Sequence, residues 1–588
     1  MNRKLFVLFL LSLLSFALTS CSLSDLLNLG GDDVDDDSNN TLQNEIAEED
    51  LIRPGSSKLG YTDYSMLSDG ANHPDYNTDL WYRNDLKDLA LPDPYVLEVD
   101  GVYYIYGTTD RTGSRTIDCY STTDFHNYTW HKDVFVCPEN SWETNSGGIF
   151  APEMFVYEGE YYLYFGINNK NNGLRYINCA KASTPTGPFL SIYQENADGV
   201  LVDGKEAPIF NHNDSIGFSV LDQHVFQDDD GRIYMYYSVY HTNNSQYLVG
   251  FEMKDPITPM FETYKILVRP GELTPATTST KILSWEAYTD FEVAEGPFMI
   301  KSPVNGKYYL TYSVNHYPNR FYTVCYAVSD SPLGDYTKPY TSEQKQNGEL
   351  WTNLIFGYAG GHNGTKVHDQ WSGFMSGTAH HCFFKIGDQY MIGYHAHRNR
   401  ENSNNGRMFA MDYLYFDPET GIPYTEGPTY SLQPLPEAIS GYKNIATSAK
   451  AIGKNVDFVE RINDNYIVEH YNLVQNQDKE VVIKEGKAYI ELIFDKEYYI
   501  SAISIYNSAF YDKALMEIDY INFFNDNAIF NVGYISAYIN EEKSFIFPTS
   551  AFTVELDKEI KATKVLIAID TTTGAQLNEI KVFGREVK

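Results

Sequence analysis

The pattern of apolar and polar positions predicts strands along almost the whole chain. Continuous apolar runs such as Tyr161-Tyr162-Leu163-Tyr164-Phe165 and Tyr234-Met235-Tyr236-Tyr237 are expected of strands packed on both faces. Gly, Asn, Asp and Pro turns break these runs, and the breaks recur. Five times a turn carrying glycine leads into a tyrosine-rich strand. The copies are Asp100-Gly101-Val102-Tyr103-Tyr104, Glu158-Gly159-Glu160-Tyr161-Tyr162, Asp230-Gly231-Arg232-Ile233-Tyr234, Asn305-Gly306-Lys307-Tyr308-Tyr309 and Ile386-Gly387-Asp388-Gln389-Tyr390. The glycines follow one another at roughly 60 to 80 residues, one sheet-sized unit each. Five sheets around an axis satisfy the repeat without a long exposed edge. The expected fold class is therefore all-β, with a five-bladed β-propeller over 58–436.

Near Pro434-Leu435-Pro436 the repeat stops. The segment 437–588 has its own alternation, as in Ala488-Tyr489-Ile490-Glu491-Leu492-Ile493-Phe494 and Ile500-Ser501-Ala502-Ile503-Ser504-Ile505-Tyr506. Its length suits a single jelly-roll-like β-sandwich. The other end of the chain reads as export machinery. Arg3 and Lys4 precede an apolar run, Leu5 to Leu18, too short to span a bilayer comfortably. The run ends in Leu18-Thr19-Ser20-Cys21, which resembles the lipobox of bacterial lipoproteins. That resemblance implies cleavage of 1–21 with lipidation of Cys21, and anchoring at a bacterial membrane or cell surface only through the lipid. An ordinary secretory peptide cut nearby is the alternative. Residues 22–57, with Asp32-Asp33-Val34-Asp35-Asp36-Asp37, read as an acidic, self-repelling tether.

Composition narrows the partners. A formal net charge of −35 leaves no basic stripe for phosphates, so nucleic acid is excluded. A neutral polysaccharide fits better than an acidic one. Beyond Cys21 the cysteines are Cys119, Cys137, Cys179, Cys325 and Cys382. Odd in number and scattered, they read as buried hydrophobes rather than a disulfide or zinc framework.

The chemistry is expected where the blades begin. The strands before the five turns open with Asp93, Glu153, Asp222, Glu295 and the pair His380-His381. A repeat that puts an acid or a histidine at the same end of each sheet converges them on one axis. Two carboxyl groups on separate blades can act as acid and base across a glycosidic bond. Inversion asks for ~6.5–9.5 Å between them and retention for ~5–5.5 Å. The plain alternative is that Asp93 and Asp222 cap turns.

The segments Leu91-Pro92-Asp93-Pro94-Tyr95, Leu221-Asp222-Gln223-His224-Val225-Phe226 and Ala294-Glu295-Gly296-Pro297 resemble the three signature segments of glycoside hydrolase family 43. The resemblance covers about residues 85 to 430. It implies an inverting propeller hydrolase acting on arabinose-, xylose- or galactose-containing glycans. Asp93 would be general base, Glu295 general acid, and Asp222 the residue that positions the acid and keeps its pKa raised. Phe150-Ala151-Pro152-Glu153 departs from the family's Trp-Ala-Pro, which leaves Phe150 and Glu153 as candidate pocket residues. A solvated turn acid is the other reading of Glu153.

Gly377-Thr378-Ala379-His380-His381-Cys382 resembles the family's Gly-x-Gly-His segment, whose histidine sits near a calcium ion. This implies a structural calcium beside His380; a metal-free hydrogen-bonded histidine is the alternative. Arg407 could bond a sugar hydroxyl, orient Glu295 or form a structural ion pair. Trp285, Tyr288 and Phe291 are read as a stacking face or as core. Segment 437–588 resembles galactose-binding-like, discoidin-type modules through Asn444-Ile445-Ala446-Thr447-Ser448, the strand from Ile500 and the exit from Glu579 to Gly584. The expected activity is release of arabinofuranosyl or xylosyl units from plant-type polysaccharide. The alternative is a non-catalytic glycan-binding surface lipoprotein on the same scaffold.

Overall fold

The computed structural model describes residues 77–587, less 85–88, 110–114, 139–147, 170–172, 193–217, 242–244, 276–281, 288–291, 320, 348–350, 358–375, 398–405, 426, 430–431, 467–478, 509–512, 533–534 and 537–550. The leader, Cys21 and the acidic tether lie outside the described residues, as do Tyr288 and Phe291.

Five four-stranded antiparallel sheets follow one another in chain order, each with its strands in sequence order. Blade I begins with Tyr95–Val99 and Val102–Tyr106, blade II with Ile149–Tyr157 and Glu160–Asn168, and blade III with Ser219–Gln227 and Ile233–His241. Blade IV begins with Ala294–Lys301 and Tyr308–Val314, and blade V with Ser376–Ile386 and Gln389–His397. Each blade's first hairpin carries one of the recurring glycines. Gly101, Gly159, Gly231, Gly306 and Gly387 all have positive φ, between 59° and 85°. In blades I and II the preceding Asp100 and Glu158 are also left-handed, which makes the two-residue turns whose twist suits a hairpin.

The blades share apolar cores. One cluster joins blades I, III, IV and V through residues such as Ile105, Tyr236, Tyr312 and Tyr394. A second joins blades I, II and III through Tyr106, Phe165 and Val249. The five cysteines among the described residues are buried and form no disulfide with one another, as expected of small hydrophobes.

Closure between the first and last blades comes from outside the sheets. Trp81–Tyr82 pairs antiparallel with Gln433–Pro434. Asn84 Nδ2 donates to the carbonyls of Met411 and Thr429 at 2.9 and 3.0 Å, and the Met411 N–H donates back to Asn84 Oδ1 at 3.0 Å.

The C-terminal unit is built on a nine-stranded sheet. Its long strands Gly486–Asn507 and Ala551–Thr571 lose register between Ile493 and Tyr498 and between Ile500 and Ala502. It has its own aliphatic core, including Ile490, Ile503, Val565 and Ile580. Leu80, Trp81 and Leu432 pack against its Ala502 and Phe583. Trp81, 1% exposed, lies 5.4 Å from the Phe583 ring and donates from Nε1 to Glu555 at 3.1 Å. One side chain thus serves the closure strap and the junction with the second unit. Trp81→Ala is expected to cost about 3–5 kcal/mol, read as a lowered midpoint in chemical denaturation. An unchanged midpoint would show that the strap contributes nothing.

Candidate active site

At the head of each blade one residue is left-handed. These are Asp93 (φ 52°), Ala151 (42°), Asp222 (55°), Gly296 (54°) and His380 (48°). In blades II to V the ladder to the second strand slips at this point, a β-bulge that re-aims side chains toward the axis. Two residues further on, Tyr95, Glu153, His224, Phe298 and Cys382 stand opposite Tyr106, Tyr164, Tyr236, Thr311 and Gly393. The five heads are therefore in register with one another.

Side chains of the neighbouring blade hold these heads. The N–H groups of Asp93, Ala151, Gly296 and His380 donate to His395 Nδ1 (3.2 Å), Thr108 Oγ1 (2.8 Å), Asp222 Oδ2 (3.2 Å) and Ser313 Oγ (2.9 Å). Gln223 Nε2 donates to the Ala151 carbonyl at 2.7 Å and spans the remaining junction. A Cβ at Gly296 would lie 3.3 Å from His380 Nδ1, so the glycine gives the adjoining blade room to approach.

This frame brings Asp93, Asp222 and Glu295 together. Asp93 and Asp222 occupy the same position in their blades, and Glu295 precedes it by one residue. A 20 Å³ axial cavity, room for about one water, is lined from all five blades by residues including Asp93, Glu153, Asp222, Gly296 and His380. The three carboxyl groups are buried yet keep some access, at 8, 5 and 8% exposure.

Their proton affinities are driven apart. Burial opposes charge on Asp93, but the Arg407 guanidinium, then His380 and His395, hold its carboxyl well below the usual carboxylate range. Arg407 Nη1 donates to Asp93 Oδ1 at 2.8 Å, and Thr108 Oγ1 donates to Oδ2 at 2.5 Å. Burial pushes Glu295 up to about 7, against the Tyr322 hydroxyl that donates to it at 2.8 Å, and the nearby Asp93 charge adds to the rise. Burial, then Glu295 and Asp93, also push Asp222 well above its usual range. At neutral pH Asp93 is a carboxylate, and Asp222 and Glu295 compete to hold a proton.

Arg407 thus pairs with Asp93, and its guanidinium also stacks 4.8 Å over the Tyr317 ring. Tyr322 and Gln246, the second of which also bonds Glu295, carry no motif in the sequence; only the strand register shows where they point.

The other expectations fare differently. Glu153 is not at the position of Asp93 and Asp222 but two residues later. It accepts from His224 Nδ1 at 2.8 Å and from the Val225 N–H at 2.9 Å. The bulge put it out of phase, so it serves the propeller axis rather than a turn in solvent. Phe150 shares the position of Glu295 in its own blade, at the pocket end. Trp285 is core: it is fully buried, donates to Asn353 Oδ1 at 2.9 Å and packs on Tyr340 and Trp351.

His380 Nδ1 lies 3.3 Å from Asp93 Oδ1. Among the described residues no three His, Cys, Asp or Glu side chains are grouped as for a metal. Calcium takes six to eight oxygen ligands, so an ion beside His380 would be held mostly through water.

The chain is similar to several known proteins. A β-D-galactofuranosidase of Aspergillus niger is 26% identical over 338 residues, 55% of this chain and 79% of the relative. A xylosidase/arabinosidase of Bacteroides ovatus is 25% identical over 275 residues, 42% of this chain and 76% of the relative. A solved thermostable family-43 glycoside hydrolase is 26% identical, with a TM-score of 0.46, over 60% of this chain and 99% of its own. Residues 82–421, more than half of the chain, match the model of glycosyl hydrolases family 43, and with its propeller and converging acids the chain belongs to that family.

Proposed function

We propose that this hydrolase inverts anomeric configuration and releases arabinofuranosyl or xylosyl units from plant-type polysaccharide. The observation that carries the reading is the divergence of two buried, electrostatically coupled carboxyl groups, Asp93 held ionised and Glu295 raised to about 7. Such a split is what separate base and acid roles require. Asp93 takes a proton from a water whose oxygen bonds to the anomeric carbon. Glu295 gives its proton to the departing glycosidic oxygen as that bond breaks. Asp222, whose Oδ2 accepts from the Gly296 N–H next to the acid, positions the strand that carries Glu295, while burial and the Asp93 charge keep Glu295 protonated. The names of the relatives, a galactofuranosidase and a xylosidase/arabinosidase, support a panel of pentosyl and galactofuranosyl substrates.

Asp93→Asn and Glu295→Gln should each lower kcat by about 10²–10⁴-fold on aryl arabinofuranosides or xylosides, with product configuration followed by NMR. The loss in Glu295→Gln should shrink as the leaving group becomes more acidic. Undiminished turnover in both variants would remove the assigned roles.

The pH profile follows from the same shifts. Glu295 works protonated, so kcat/KM falls as pH rises through about 7, an apparent value belonging to the coupled pair with Asp222. Asp93 works ionised, so the acid limb lies below the ordinary carboxylate range. Tyr322 donates to the ionised form of Glu295, and Tyr322→Phe should move the alkaline limb upward. A limb that stayed in place or moved down would contradict this.

The leader and Cys21 support a surface-anchored protein. Cys21→Ser should shift it from the membrane to the soluble fraction on cell fractionation.

A further inference from the structure

The third strand of each blade also begins at the pocket end, and its register gives an equivalent residue in every blade. Counting four residues back from the partners of Tyr106, Tyr164, Tyr236, Thr311 and Gly393, namely Cys119, Cys179, Gly250, Tyr326 and Met411, gives Arg115, Arg175, Gln246, Tyr322 and Arg407. Three of the five serve the acids: Gln246 and Tyr322 bond Glu295, and Arg407 bonds Asp93. Arg115 is turned away and donates to the Pro138 carbonyl at 2.5 Å. Arg175 is the remaining member.

Arg175 is exposed and its guanidinium stacks 4.8 Å over the Phe150 ring, as Arg407 stacks over Tyr317. Its charge reaches Asp222, Glu295 and His316, and the ring it covers shares the blade position of Glu295. Arg407 has Asp93 for a counter-ion. Arg175 has no ion pair among the described residues. The acids below do not supply one, because Asp222 and Glu295 are pushed toward their neutral forms and Asp93 is already paired. A guanidinium with one face covered by a ring offers its planar N–H fork edge-on, a shape that matches a carboxylate.

We infer that Arg175 on Phe150 forms a subsite for a carboxylate-bearing sugar, a uronic acid unit next to the residue that is cleaved. This rests on the proposed glycosidase reading and deepens it, since whole-chain acidity alone favours a neutral glycan. A solvent-facing ion pair alone gives only a few-fold effect; a stacked, forked one should give roughly tenfold.

The test compares xylo-oligosaccharides carrying glucuronic acid with the same oligosaccharides after carboxyl reduction, which removes the charge and keeps the sugar. Wild type should favour the acidic form by roughly tenfold in kcat/KM, and added salt should erode the preference. In Arg175→Gln the ratio should fall to near one, and Arg175→Lys should restore part of it. Calorimetric binding of the same pair to Glu295→Gln protein, with and without Arg175→Gln, reads the subsite without turnover. Equal wild-type handling of both forms, or a preference that survives Arg175→Gln, would overturn the inference. An acidic preference in binding with no turnover of any panel glycoside by wild type would instead overturn the catalytic reading and leave the subsite standing.

Discussion

The left-handed residue at the head of each blade is the constraint on which the site depends. A regular strand would send successive side chains to opposite faces of its own sheet, and no acid would reach the axis reliably. One left-handed residue, at a bulge in blades II to V, turns the strand so that the acid at this position or just before it comes to the shared site. Such backbone costs about 1–3 kcal/mol at residues other than glycine, and Ala151 and His380 gain nothing locally from it. It persists because hydrogen bonds from the adjoining blade fix the strand heads: His395 to Asp93, Thr108 to Ala151, Gln223 again to Ala151, Asp222 to Gly296 and Ser313 to His380. The catalytic geometry belongs to the closed ring and not to any single blade.

The same ring separates the charges. Burial alone would raise all three acids together. Asp93 escapes because Arg407, from the last blade, reaches its Oδ1, while the histidines around it are pushed down by burial and His395 falls to about 3. Of the groups that hold Asp93 down Arg407 has the largest effect, and His380 and His395 add to it. Among the described residues Asp222 and Glu295 have no cation in contact, and burial outweighs the more distant Arg175 charge, so both rise. Two acids of the same residue type, Asp93 and Asp222, at equivalent positions three-dimensionally, end up on opposite sides of the ordinary carboxylate range.

Much of this was legible in the sequence. The glycine turns mark the five hairpins, and the three acidic segments mark the site, because each motif is local and contiguous. What stayed hidden was phase. Glu153, Glu295 and Asp222 look alike as acids opening a strand, yet the bulge places one toward the axis, one beside the pocket and one at the left-handed position. The third-strand ring was less accessible still. The segment between the second and third strands runs from Asn169 to Leu174 in blade II and from Asn315 to Tyr322 in blade IV. Spacing from a motif therefore gives no common offset, and Arg175, Gln246 and Tyr322 become equivalent only through hydrogen-bonded register. Arg407 was noticed, but its partner Asp93 lies 314 residues away, which no local pattern reports.

That pair is better understood as a device for acidity than for stability. Burying an arginine and an aspartate together roughly breaks even against apolar side chains of similar volume, because desolvation offsets the attraction. Evolutionary convenience aside, a propeller seeking only cohesion at its axis could use leucine there, as the blade cores around Tyr312 and Ile392 already do. What apolar packing lacks is a way to keep one buried carboxyl charged while its neighbours tend to neutrality. The Arg407–Asp93 contact does that, and the resulting negative charge on Asp93 in turn raises Glu295 and Asp222. One ion pair thus fixes the base directly and the acid indirectly, and the two roles are coupled through the charge they share.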